Sequence, residues 1–300
     1  RRHTRYISVT GVQTCALPIY YSFLVLPPRK RRAIVAVWDF CRAVDDSVDE
    51  AAAGADRRAG LSPEAHAQAA AELAGWRSEL AACYEGTPRS RQGQALQPFI
   101  RMFNLPRAEF DALIDGVEMD LGASRYQTFD ALLEYCRRVA GTVGLICLEI
   151  FEYRDPGSRA YALHLATALQ LTNIIRDVGA DLAQGRVYLP AEDLRAHGVD
   201  EATLAAGRVT PAVRALLAFE CGRARDYFRQ AETALPRGDR RRLVAAAIMG
   251  GIYFGILERI EQSGYDVFNQ RVRVPRPQRL HIALTIWART CLGLSSGVGH

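Results

Sequence analysis

Three hundred residues, 49% of them hydrophobic at a mean hydropathy of −0.07, can bury a sizeable core and describe neither a disordered chain nor a bulk membrane protein. The formal net charge is +5, with 38 basic residues against 33 acidic, and Arg1, Arg2 and Arg5 supply three of those charges, a balance that argues against a dedicated nucleic-acid binder. The seven cysteines are scattered with no CxxC pair, so they read as reduced, mostly buried thiols in a cytoplasmic setting.

Residues 1–19 (RRHTRYISVTGVQTCALPI) match neither the continuous apolar stretch of a signal peptide nor the helical texture that follows. They resemble translated sequencing-adapter sequence, so the expected organisation is a non-native leader over 1–19, one domain over 20–293 and a tail over 294–300. After Pro27-Pro28, Arg29 to Glu50 reads as an amphipathic helix in which Ala33, Val37, Phe40, Val44 and Val48 recur at spacings of three and four. Further helices are predicted at about 64–85, 90–103, 106–121, 128–153, 157–182, 211–234, 239–263 and 277–292, with Pro63, Pro88, Pro106, Pro156, Pro211 and Pro236 near the junctions. No sustained period-2 pattern appears, so the expected fold is all-α. Gly185 to Val199 reads as a structured loop, and Gly264 to Pro277 as a second irregular stretch, of a length that usually serves a purpose. No apolar run approaches the roughly 20 residues that span a bilayer, and Arg289 interrupts Leu280 to Leu294.

Two acidic motifs stand out. In RAVDDSVDE, Asp45 and Asp49 lie four apart on one helix face, and in NIIRDVGAD, Asn173, Asp177 and Asp181 repeat that spacing. Like charges four apart destabilise a helix by a few tenths of a kcal/mol, so something should offset them. Mg²⁺ takes oxygen ligands and completes its shell with water and phosphate, so two such faces across a cavity could hold a diphosphate and favour its departure. The plainer alternative is a pair of solvated acidic faces. Against it, both motifs interrupt apolar helices, and each has an arginine nearby (Arg42, Arg176) able to grip phosphate oxygens.

At these residues the chain resembles the squalene/phytoene synthase family of head-to-head prenyl synthases. The likeness runs from about Tyr20 to Trp287, through VDDSVDE, YCRRVAGTVG and LTNIIRDVGADLAQGRVYLP in family order. YYSFLVLPPRKRRAI, GVEMDL and GYDVFNQRVRVP most resemble the presqualene diphosphate synthases of bacterial hopanoid biosynthesis, with phytoene synthase as the nearer competitor. The resemblance implies an isoprenoid synthase helical bundle around a central cavity. It implies Mg²⁺, with Mn²⁺ as an alternative and no NADPH, held by Asp45, Asp49, Asn173, Asp177 and Asp181. Arg42 and Gln170 then face the diphosphates, while Tyr135, Arg176, Tyr188 and Tyr265 stand near the reacting centre. Two molecules of farnesyl diphosphate are the implied substrate; geranylgeranyl diphosphate is the alternative, and a non-catalytic family member is disfavoured by the retained aspartates. One departure is that Pro18 and Ile19 stand where relatives carry a Ser/Phe-containing segment.

Trp38 and Tyr135 are sensible liners for a carbocation's cavity, with plain core packing as the alternative. Gly141 and Gly144 could admit either a prenyl chain or a neighbouring helix. The basic, partly apolar stretch Arg271 to Trp287 suggests peripheral contact with the inner membrane, unless Leu280, Ile282 and Leu284 instead cap the core.

Overall fold

The computed structural model describes residues 25–51, 62–122 and 125–298, apart from the side chains of 49–51. The leader 1–19 and the side chain of Asp49 therefore lie outside the described residues. In chain order the helices are α1 (Pro28–Ala51), α2 (Pro63–Glu85), α3 (Arg91–Phe103), α4 (Arg107–Met119), α5 (Phe129–Cys136), α6 (Thr142–Phe151), α7 (Ser158–Ala183), α8 (Ala191–Ala196), α9 (Glu201–Ala205), α10 (Pro211–Ala234), α11 (Val244–Gln262) and α12 (Arg276–Cys291). The only β pairing among the described residues is an isolated bridge between Arg125 and Val187, so the chain is all-α as expected.

Helix starts follow the capping chemistry written in the sequence. Ser62, Ser90, Thr128 and Thr210 each sit in extended backbone and accept a hydrogen bond from the amide three residues on. Pro63 and Pro211 occupy the first turn, where the missing N–H costs nothing. α7 is the central column. Residues on every side of it are buried, and it packs along α10, α6 and α11.

Two departures from the expected helices matter. The stretch 128–153 is a single column, but Arg137–Gly141 forms a π turn between α5 and α6, closed by the Thr142 amide donating to the Arg137 carbonyl. Gly116 of α4 packs against this turn so closely that a Cβ there would lie 2.7 Å from Arg138 Cβ. The segment expected as a loop at 185–199 contains the short helix α8. Its amides extend the contact with the chain before α5: Ala191 donates to the Tyr126 carbonyl and Glu192 to that of Gln127.

Three buried carboxylates tie the bundle together at two places. Asp239, in a 3₁₀ turn before α11, accepts hydrogen bonds at Oδ2 from the Arg154 and Asp155 amides and the Ser158 hydroxyl, at 2.8–2.9 Å. It thus joins the start of α7 to the start of α11. On the other side, Arg223 of α10 bridges Glu220 and Asp193 of α8, with its guanidinium 4.0 Å from the Phe129 ring centroid. Burial pushes the Glu220 carboxyl up to about 8, outweighing the Arg223 charge.

Candidate active site

α1, α4, α5, the π turn, α6, α7 and α11 enclose a cavity with about 1410 Å³ of unfilled space, its mouth included. Its walls are mainly apolar. On α1 the lining runs from Ile34 through Trp38 to Asp45, and on α7 from Tyr161 through Leu165 and Gln170 to Asn173. Both helices therefore pass from an apolar end to a polar one. The polar end gathers Asp45, Gln170 and Asn173 from motifs more than a hundred residues apart in sequence.

The amide of Asn173 is buried; its nitrogen donates weakly to Gln170 Oε1 at 3.5 Å, and its oxygen has no hydrogen-bond partner. A buried, unsatisfied oxygen beside a carboxylate suits a hard cation. One and two turns further along α7 lie Asp177 and Asp181, both buried. Burial, then the neighbouring Asp177 charge, holds the Asp181 carboxyl well above its usual range, and Arg186 and Arg176 oppose that shift. Asp177 does not face the cavity in this state. It accepts hydrogen bonds from the adjacent Arg176, whose Nε lies 2.9 Å from Oδ1, and Arg271 approaches the same oxygen at 3.7 Å. Among the described residues no three His, Cys, Asp or Glu side chains gather as a ligand cluster, though the donor set is all oxygen.

Arg271 comes from the irregular stretch after α11, which crosses α7 at the second motif. Gly179 makes the crossing possible: a Cβ there would sit 2.9 Å from the Val267 carbonyl oxygen and 3.0 Å from Phe268 Cα, both backbone atoms. Gly179→Ala is expected to lift this segment off α7, lower stability by about 1–3 kcal/mol and reduce turnover. Limited proteolysis of residues 264–275 alongside a rate assay measures both effects, and an unchanged digestion pattern would count against it.

A residue with no signal of its own in the sequence completes the site. Asp120, buried at the end of α4, accepts a 2.9 Å hydrogen bond from the Tyr135 hydroxyl at one carboxylate oxygen and another from Tyr188 at the other. The two rings stack at 5.4 Å, and Tyr126 stacks on Tyr188 at 6.1 Å. Burial, then the Asp120 charge, pushes both phenols well above their ordinary range, so they stay protonated. Tyr135 also lines the cavity, which makes Asp120 a positioning residue for it. In the sequence Asp120 is a single acid at a helix end, with no partner at helical spacing; only its place in GVEMDL hinted at it.

The remaining candidates divide. Trp38 lines the cavity, with the Arg42 guanidinium 5.5 Å from its ring centroid, while Arg42 also bonds Asp46. Gly144 lines the cavity and packs close to the Ala162 carbonyl, whereas Gly141 meets Leu163. Tyr188 reaches the site through Asp120 and the Tyr135 ring. Tyr265 stands apart, in left-handed backbone with Arg214 over its ring at 5.9 Å.

Comparison with known proteins gives the family. The squalene/phytoene synthase family model matches residues 15–278. A 15-cis-phytoene synthase of Synechocystis is 38% identical over 91% of this chain and 81% of its own length. The presqualene diphosphate synthase of Rhodopseudomonas palustris is 36% identical over 88% of this chain and 91% of its own length. Among solved structures, a dehydrosqualene synthase in complex with ligand superposes with a TM-score of 0.76 at 27% identity, covering 91% of each chain. Squalene synthase HpnC from Alicyclobacillus acidocaldarius superposes at 0.68 and 28%, covering 85% of this chain and 94% of that one. With both acidic motifs, the cavity between them and these likenesses in agreement, the chain belongs to the squalene/phytoene synthase family.

Proposed function

We propose that this chain joins two molecules of farnesyl diphosphate head to head to give presqualene diphosphate. The observation that carries the reading is the cavity with oxygen donors from both acidic motifs at one end and an apolar wall behind them. Asp45, Asp49, Asn173, Asp177 and Asp181 are the residues that would hold Mg²⁺, and the buried, unsatisfied Asn173 oxygen supports that fit. Bound there, the metal supplies charge neutralisation for the diphosphate leaving group.

The chain's own side chains do the rest. Arg42 grips phosphate oxygens and Gln170 contributes an amide at the same end, while buried Arg176 holds Asp177. The allylic C–O bond of one substrate breaks, and its electron pair leaves with the diphosphate. The 2,3 double bond of the second substrate attacks the cation, and loss of a proton closes a cyclopropane ring. The rings of Trp38 and Tyr135 offer the cation an electron-rich face, and the apolar walls exclude water that would capture it. Asp120 and Tyr188 hold Tyr135 in place; Tyr265 is assigned to the site by resemblance alone.

The choice of farnesyl diphosphate rests on the likeness of GVEMDL and GYDVFNQRVRVP to presqualene diphosphate synthases and on the 36% identity to that of Rhodopseudomonas palustris. The likeness to a cyanobacterial phytoene synthase favours the second reading, geranylgeranyl diphosphate. Product analysis with each diphosphate, with and without NADPH, tests both. Presqualene diphosphate from the C15 substrate, unaltered by NADPH, is expected; turnover of the C20 substrate alone would overturn the choice of farnesyl diphosphate.

A further inference from the structure

We propose that the outward face of α12, together with the arginine-bearing turns beside it, is a docking surface for an anionic lipid bilayer.

α12 is apolar on two sides. Ala283 and Ile286 are buried against α11, where Ile286 closes on Gly251. On the outer side, Leu280, Leu284, Trp287 and Cys291 follow one another at spacings of four, three and four, forming a single stripe. The three large side chains of that stripe are about half exposed, and Leu292, just beyond, is 75% exposed. No charged side chain interrupts the stripe. A helix that buries one apolar face and shows water another is matched to a second apolar phase.

The surroundings of the stripe are rich in arginine, with acids such as Glu152 among them. After Asp266 the chain has five arginines and no acidic residue; Arg271 turns to Asp177 and Arg279 is buried, which leaves Arg273, Arg276 and Arg289 exposed. Arg237 and Arg241 are exposed on the turn before α11, and Arg241 bonds the Cys291 carbonyl at the end of α12. Arg242 bonds the Glu152 carbonyl, and Lys30 bonds the Phe151 carbonyl and pairs with the Glu152 carboxylate. These contacts bring the first turn of α1, with Arg29 and Arg32 exposed, to the same end of the bundle. Cations at a helix N-terminus oppose its dipole, so helix stability does not account for PRKRR there.

Phe151, whose carbonyl Lys30 bonds, also lines the apolar end of the cavity. Tryptophan and leucine flanked by arginine is the chemistry of a bilayer interface with anionic headgroups. A two-fold pairing of the same face would set its arginines against one another, which disfavours a second copy of the chain. Arg279, within the stretch expected to touch membrane, plays no part: it is buried and donates to the Val274 carbonyl.

Vesicle pelleting of the full chain, with phosphatidylcholine alone or with one-third phosphatidylglycerol, tests the assignment. The protein should bind the anionic vesicles, and less so as salt rises. Each arginine removed should weaken binding about fivefold, so Arg32→Gln, Arg237→Gln and Arg241→Gln together should weaken it about a hundredfold. Leu284→Ser with Trp287→Ser should weaken it at least about tenfold, since two large apolar groups lose their burial. Activity on detergent-dispersed substrate should survive in both variants, which separates failure of the surface from failure of the proposed reaction. Equal binding by all three proteins would overturn the proposal. So would absence of vesicle binding together with self-association that Trp287→Ser abolishes, because the face would then join two chains.

Discussion

Asp45→Asn is expected to lower kcat/KM by about 10²–10³-fold, some 3–4 kcal/mol of lost charge stabilisation, while leaving helix content unchanged. Asp45 opens onto the cavity from α1, and the substitution keeps its size while removing its charge. The comparable change at Asp177 is a poorer probe. That carboxylate accepts from buried Arg176 and lies near Arg271, so Asp177→Asn would also remove a negative charge that faces a buried guanidinium, and its effect on rate would be mixed with a loss of stability. Rates measured across a Mg²⁺ titration, with circular dichroism as the fold control, decide the matter. An Asp45→Asn enzyme that keeps wild-type rates at limiting Mg²⁺ would remove α1 from the metal site.

Asp239→Ala should be the most damaging single change away from the cavity, at about 3–5 kcal/mol by denaturant unfolding. Three donors converge on one carboxylate oxygen, and alanine leaves two backbone amides with no protein acceptor. Burial alone would raise this carboxyl, but the donors and Arg242 outweigh it and hold it below the usual aspartate range. A depressed folded pKa contributes stability above the ordinary aspartate value, and that contribution is lost as pH falls through the folded value. Wild type and variant should therefore differ fully at neutral pH and draw together only as pH falls below about 4. A difference that never narrows in acid would mean that packing, not charge, makes the contact.

The sequence and the structure agree wherever a local rule governs. Helix positions followed from apolar periodicity and from junction prolines such as Pro63 and Pro211, whose effect is confined to one turn. The polar ends of α1 and α7 were legible because a four-residue spacing has meaning on a helix. Contacts made at long range were not legible. Asp120 acquires its place only when α4 brings it to Tyr135 and Tyr188, and Gly179 is required only because a segment almost ninety residues later crosses over it. Arg279 looked like a surface charge until the backbone turn at Val274 supplied it with a buried acceptor. Leu280 and Leu284 were as compatible with a core as Ile282, and only the facing of α12 against α11 separated them. The α8 helix escaped notice because six residues are too few for a periodic pattern to register.

The π turn at Arg137–Gly141 also fixes a phase. A π turn accommodates one residue more than α-helical winding of the same segment would, so the column from α5 to α6 holds a surplus residue just after Tyr135. Removing one residue there, for example Val139, would let the column close as ordinary α-helix with its hydrogen bonding intact. The flanking turns would keep their facing, because the π turn already takes up the surplus residue. Winding the same residues as plain α-helix would instead rotate everything before the turn by about 100° relative to everything after it. Tyr135 would then swing away from the cavity and Asp120, while Gly144 and Cys147 on α6 kept their places. The π winding is therefore as much a part of the site as any side chain in it.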